Sequence, residues 1–275
     1  MKLATPESVQ KLRKALYERA KREPGLRFYS LYDKVYREDV LTHAYALCRA
    51  NKGAAGPDGK TFEDIEQEGG PASMLARLAE ELRTKKYKPG PIRRVYIPKA
   101  NGGERPLGIP DIRDRVVAMA VKLVLEPIFE ADFDTDSYGF RPGRDAHQAL
   151  AALREGIAAG MEWVIDADVT KCFDTIPHDK LMKVVASRVV DGSMLALVKQ
   201  FLTAPVIDER DGGRRTRPRA GTPQGGPASP LLANIYLHLL DRNFRMHVER
   251  GVLQGRLVRY ADDRAPRRRR EEAVM

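Results

Sequence analysis

Two short segments of this chain read as β-strands that end in carboxylates, and together they narrow the possible folds more than any other feature. In the first, Glu162 to Val169 (EWVIDADV), Trp163, Ile165, Ala167 and Val169 point one way and Val164, Asp166 and Asp168 the other, as in a central strand. The second, Arg256 to Tyr260, runs directly into Ala261, Asp262 and Asp263. Laid side by side, the two strands bring Asp168 and Asp262 within a few ångströms of each other. Adjacent carboxylates repel unless a cation intervenes, hard oxygen donors suit Mg²⁺, and a pair of ions about 3.5–4 Å apart serves in-line phosphoryl chemistry. Asp166, one pleat earlier, reads equally as a solvated neighbour. Asp-Asp is also a common turn dipeptide, so YADD alone decides nothing.

The segments between and before these strands alternate between helical and hairpin patterns. Thr5 to Arg22 has helical spacing with many cations, Asp39 to Ala50 is a second helix, and NKGAAGPDGK (Asn51 to Lys60) is a loop. Thr61 to Lys86 returns to helix, broken near Gly69, Gly70 and Pro71. Arg93 to Pro98 and Glu104 to Pro110 flank an Asn-Gly turn and predict a hairpin, whose prolines place both strands at a sheet edge. Asp111 to Glu130 is a helix with an apolar stripe through Val116, Val117, Ala120, Leu123, Val124 and Ile128, bent or ended by Pro127. Further helices are predicted over Ala146 to Ala159, from about His178, over Asp191 to Ala204 and from Ala228 to about Glu249. Pro205 to Ala220 predicts an arginine-rich hairpin. The fold class implied is mixed α/β (α+β), with an antiparallel sheet and packed helices rather than a doubly wound parallel sheet.

Charge and cysteine usage restrict the partners. The net charge of +10 and a pI near 9.6 favour a polyanion, most simply nucleic acid, although ribosome-bound and merely soluble basic proteins share that balance. No run of about 18 apolar residues offers a membrane span, and the N-terminus turns polar too early for a secretory signal. Cys48 and Cys172 lie far apart without a CxxC pair, which fits buried thiols in a reducing compartment and a cytoplasmic location. His147 and His178 have no second ligand at metal spacing and read as structural or solvated.

The order IPKANGGERPLGIP, SYGFRPGRDAHQAL, VIDADVTKCFDTI, GTPQGGPASPLLANIYL and YADD resembles the successive blocks of group II intron-type reverse transcriptases, RNA-directed DNA polymerases of bacterial retroelements. NKGAAGPDGKTFEDI resembles the block that precedes them, so the resemblance covers about Asn51 to Asp263. It implies a right-hand polymerase with a basic N-terminal helical extension over 1–50, fingers over 51–160 and part of a palm over 161–263. By position, Asp168, Asp262 and Asp263 match the catalytic carboxylates that hold two Mg²⁺ ions, and the carbonyl of Val169 is implied as a further metal contact. Phe173 matches the ring that crowds a nucleotide 2′-OH, with an ordinary core phenylalanine as the alternative. Gln224 and Gly225, with Gly226, match the loop beside the incoming nucleotide. Lys99 and Arg105 match the finger hairpin that grips a triphosphate, or are solvated hairpin charges. Arg141 and Arg144 are candidate template contacts, with structural ion pairing as the alternative. The hairpin cations Arg214, Arg215 and Arg217, together with the N-terminal helix, would track polynucleotide phosphates.

The partners implied are an RNA template, a DNA primer, deoxynucleoside triphosphates and, for maturase-type relatives, intron RNA. A non-catalytic RNA-binding maturase is the rival expectation, and a two-metal nuclease accounts for the aspartates but not for Phe173, Gln224 or the finger hairpin. After YADD the family continues with an apolar return strand, the rest of the palm and a thumb, where this chain reads RAPRRRREEAVM. Arg264 and Arg267 to Arg270 predict no buried partner strand there. The expectation is therefore a partial palm, an aberrant Arg-rich tail over 264–275, no thumb and weak or absent polymerisation, through truncation or frameshift, or with the missing half supplied by another chain.

Overall fold

The computed structural model describes residues 3–98, 102–223 and 225–261, and the backbone of 263–268. From the N-terminus come α1 (Glu7–Arg22), α2 (Tyr32–Val35), α3 (Glu38–Ala50), α4 (Phe62–Gln67), α5 (Gly70–Arg83), β1 (Ile92–Pro98), β2 (Glu104–Ile109), α6 (Ile112–Glu130) and α7 (Ala146–Ala158). After them come β3 (Trp163–Val164), β4 (Ala167–Asp168), α8 (Cys172–Thr175), α9 (His178–Ala186), α10 (Gly192–Leu202), β5 (Val206–Asp208), β6 (Arg214–Thr216), α11 (Ser229–Glu249), β7 (Arg256–Tyr260) and β8 (Asp263–Arg268). The fold is mixed helix and sheet, as expected. It divides into two compact units, one of Met1–Ala131 with Phe173–Ser229 and the other of Asp132–Cys172 with Pro230–Met275. These boundaries differ from the contiguous 51–160 and 161–263 segments expected.

The first unit is organised around α6. Its expected apolar stripe is too narrow, because Ala118, Met119, Val121, Leu125 and Phe129 are buried as well, and a helix apolar on every side belongs in a core. Pro127 does not end it; the helix runs on to Glu130. Its few buried charges are matched. Asp114 accepts from the Tyr87 hydroxyl at 2.7 Å and the Gly90 N–H at 2.7 Å, and Glu126 takes Arg13 of α1 at 2.6 Å. The helices expected as an N-terminal extension are consequently part of this core: Val9, Leu16 and Ala20 of α1 and Val40, Leu41 and Ala44 of α3 are buried, and both helices pack on α6.

Both predicted hairpins form, but as one sheet in the order β2-β1-β5-β6. β1 pairs antiparallel with β2 and parallel with β5, so it is an interior strand rather than the edge its proline suggested. Pro98 is its last residue, beyond the Ile92–Arg94 stretch that meets β5, so the missing N–H costs no ladder bond there.

In the second unit, α7 packs on β7 around Tyr138, Ala149, Ala152 and Val258. The expected central strand over 162–169 is instead two short pieces, β3 and β4, with Trp163 55% exposed and Val164, Ile165 and Asp168 also exposed. Residues 263–268 do form a return strand, contrary to expectation. β8 pairs antiparallel with β7 on one side and with β3 and β4 on the other. Strand pairing is made by backbone N–H and C=O groups, so it needs partners at both edges rather than apolar side chains.

Candidate functional site: aspartates on neighbouring strands of one sheet

The two carboxylate-bearing segments belong to one sheet, but they are not neighbours. β8 lies between them, with Asp263 opposite Asp168 on β4 and opposite Tyr260 on β7. Asp168 and Asp263 thus meet on one sheet from distant parts of the chain. The Asp168 side chain is exposed and makes no hydrogen bond or ion pair with another described residue. The carbonyl of Val169 accepts the Cys172 N–H at 3.0 Å, which leaves its second lone pair open. Asp262, Lys99 and Gln224 lie outside the described residues, as does the Asp263 side chain, and among the described residues no group of three His, Cys, Asp or Glu side chains is gathered to hold a metal. The oxygen donors that are described, an unengaged carboxylate beside a half-used carbonyl, fit a hard divalent cation.

The turn is held by groups that sequence reasoning did not single out. Ala261 has φ of +58°, a left-handed conformation that an L-residue adopts only when its surroundings impose it. Arg259, 1% exposed, supplies part of that constraint. Its Nε donates to Asp241 Oδ1 at 2.9 Å, its Nη1 to Asn234 Oδ1 at 2.9 Å and the Ala261 carbonyl at 2.8 Å, and its Nη2 to Ser137 Oγ at 2.6 Å and Asp241 Oδ2 at 2.7 Å. All five guanidinium N–H groups are therefore engaged. Asn234 and Asp241 lie on one face of α11, seven residues apart. Gly139 closes the other side: a Cβ there would stand 2.1 Å from the Ala261 backbone nitrogen. Asn234 Nδ2 donates to the Gly139 carbonyl at 2.8 Å, joining the two clamps. The available signal was an arginine inside a strand just before YADD, with an Asn and an Asp at i, i+7 on the helix that precedes that strand.

Several expected site residues have other work. Arg141 is buried, donates to the carbonyls of Asp134 and, at 2.6 Å, Ser137, and lies over the Phe133 ring. These contacts hold the loop before α7. Arg144 is half-buried, donates to the Thr135 carbonyl at 3.1 Å and stacks on Tyr138. His178 Nε2 meets the Gly221 carbonyl at 2.7 Å, a structural role.

The first unit carries the remaining candidates. Phe173 is buried, and its carbonyl accepts the Thr222 N–H at 2.6 Å, tying this segment to the loop that contains Gln224. Gly225, at φ +105°, packs against β2, where a Cβ would stand 2.5 Å from the Gly108 carbonyl. Its need for glycine arises from the finger hairpin as well as from any nucleotide. Arg105 is exposed on β2 opposite Ile97. Arg214, Arg215, Arg217 and Arg219 are exposed, and their side chains make no hydrogen bond or ion pair with a described residue. Arg210 is held bidentate by Glu104 over the Tyr96 ring. The cations of α1 are offset: Lys11, Lys14 and Arg19 face Glu7, Glu18 and Glu23, and Lys21 caps the Ala131 carbonyl.

The class of the fold is defined by comparison with known proteins. Residues 97–266 match the family described as reverse transcriptase (RNA-dependent DNA polymerase). Among curated relatives, protein YkfC of Escherichia coli (strain K12) is 37% identical over 85% of this chain and 62% of its own length. The group II intron-encoded protein LtrA of Lactococcus lactis subsp. cremoris is 37% identical over 78% of this chain and 35% of its own. The putative COX1/OXI3 intron 1 protein of Saccharomyces cerevisiae is 37% identical over 74% of this chain and 24% of its own. The chain thus spans less than two thirds of each of these relatives. Among solved structures, a partial Cas6-RT-Cas1–Cas2 complex superposes with a TM-score of 0.55 at 20% identity, over 88% of this chain and 39% of that one, which supports the fold alone. The chain belongs to the reverse transcriptase family, in its group II intron type.

Proposed function

We propose that this chain is the polymerase part of a group II intron-type retroelement protein, extending a DNA primer on an RNA template with deoxynucleoside triphosphates. The observation that supports the reading is the register of Asp168 on β4 opposite Asp263 on β8, which brings aspartate positions from distant parts of the chain to one sheet. Asp168, Asp262 and Asp263, with the Val169 carbonyl, are the groups that would hold two Mg²⁺ ions. Bound there, the ions would lower the pKa of the primer 3′-OH and offset charge on the phosphoryl group in transit. The protein's own contribution is to hold these oxygens in a fixed array. Phe173 would limit the sugar to deoxyribose, Gln224 and Gly225 would line the incoming nucleotide, and Lys99 and Arg105 would take its triphosphate. The two reduced, buried thiols accord with work in the cytoplasm.

A second reading, binding of intron RNA in support of splicing, draws on the four exposed and unpartnered arginines of the β5–β6 hairpin. Primer extension on an RNA template with Mg²⁺ separates the two. Extension by the purified chain that vanishes in Asp168→Ala supports polymerisation. RNA binding by both proteins, with extension by neither, would favour the binding role and refute polymerisation by this chain.

A further inference from the structure

We infer that Arg259 is a positioning residue for divalent-cation binding at the carboxylate turn, acting through the carbonyl of Ala261. The inference rests on the polymerase reading above and deepens it. Ala261, the residue just before the two aspartates in the sequence, has a left-handed backbone that is unfavourable for alanine and must be fixed by its surroundings. Three contacts do so. Arg259 Nη1 donates to its carbonyl at 2.8 Å, Gly139 packs on its backbone without room for a Cβ, and Asn234 ties those two groups together.

The strand itself is pinned at the same residue. The Arg259 N–H donates to the Asp136 carbonyl at 2.9 Å, and the Arg259 carbonyl accepts from the Tyr138 N–H at 2.8 Å. A buried guanidinium is a costly way to pack a strand, since a hydrophobe of similar volume would serve packing as well. What a hydrophobe lacks is a planar fork able to hold an aspartate, an asparagine, a serine and a turn carbonyl at once. The fork converts the rigidity of α11, which supplies Asn234 and Asp241, into a fixed geometry two residues further along the chain. Groups that orient metal ligands in this way commonly set affinity for the ion by a factor of about 10–100.

The test is titration of the purified chain with Mn²⁺, free ion being followed by its electron paramagnetic resonance signal, with circular dichroism to confirm folding. The wild type should bind Mn²⁺ at a site that Asp168→Asn abolishes. Arg259→Lys keeps the charge facing Asp241 but loses the fork, and should bind about tenfold more weakly while remaining folded. Affinity within twofold of wild type in folded Arg259→Lys overturns the inference. Should that variant not fold, Asn234→Ala loosens the same turn and leaves the Arg259–Asp241 pair intact; about tenfold weaker binding supports the inference and unchanged binding overturns it. A wild-type chain without Asp168-dependent Mn²⁺ binding refutes the metal reading of the site itself, and the inference with it.

Discussion

Asp111 stands where two other carboxylates come near it, Asp58 and Asp114, and its Oδ1 accepts the Asp58 N–H at 3.1 Å. Burial, reinforced by those two neighbours and only partly offset by the N–H, pushes its pKa up to about 6. The folded chain therefore keeps a proton that the unfolded chain releases near pH 4, so stability falls as pH rises from about 4 to 6 and is level above that. This is the reverse of the usual carboxylate effect. Asp111→Asn keeps the acceptor and removes the charge, and should raise Tm at pH 7 by roughly 2–4 °C with little change at pH 4. Thermal melts at the two pH values check this, and an equal gain at both would refute it. None of it was legible in the sequence, because Asp58 and Asp111 meet only once the loop before α4 folds against the start of α6. The same holds for Cys48: that it is buried was expected, but the rise of its thiol pKa to about 12 follows from its surroundings in the core.

At the level of elements, Asp191 shows how one side chain can join helices far apart in the chain. It caps α10 by accepting from Ser193 and Met194, and it also accepts the N–H groups of Leu31 and Tyr32 at 2.8 Å each, at the start of α2. Burial alone would raise its pKa, but these four donors outweigh it and hold the carboxyl below its ordinary value. Its contribution is thus complete above about pH 4 and is lost as pH falls through the lowered pKa. Asp191→Ala removes a cap and strands two further donors, and should cost about 2–4 kcal/mol at pH 7 by urea unfolding; a loss under 0.5 kcal/mol would contradict this. The helices were largely readable, since capping residues and 3.6-residue periodicity are local signals, as at Thr61 and Asp145, both of which head true capping boxes. The sheets were less so. The parallel pairing of β1 with β5 joins segments about a hundred residues apart, and β8 has no apolar pattern at all, because its place is set by backbone partners on both sides. In the site, Asp168 and the turn were visible from their letters, whereas the Arg259 clamp depends on α11 and Ser137 arriving together.

Taken over the whole molecule, a charge of +10 has to be weighed against how many cations are already engaged. Those of α1 largely face glutamates or cap a carbonyl, while the side chains of Arg214, Arg215, Arg217 and Arg219 form no ion pair with a described residue. On the RNA-binding reading proposed above, these four hairpin arginines are the phosphate contacts to test. Changing all four arginines to glutamine should reduce the slope of log K against log salt for single-stranded RNA by up to about 3, at roughly 0.7 per contact. Filter binding across a salt series measures it, and an unchanged slope would place the RNA elsewhere. The interrupted strand β3–β4 has a further consequence. Its outer edge pairs with no other described strand, and it carries the chain's single tryptophan with the indole more than half exposed. The molecule is thereby its own optical probe: Trp163 should emit as a hydrated indole readily quenched by iodide, and whatever settles on that edge, another strand or a nucleic acid, will announce itself as a change in colour and shielding without any label being attached.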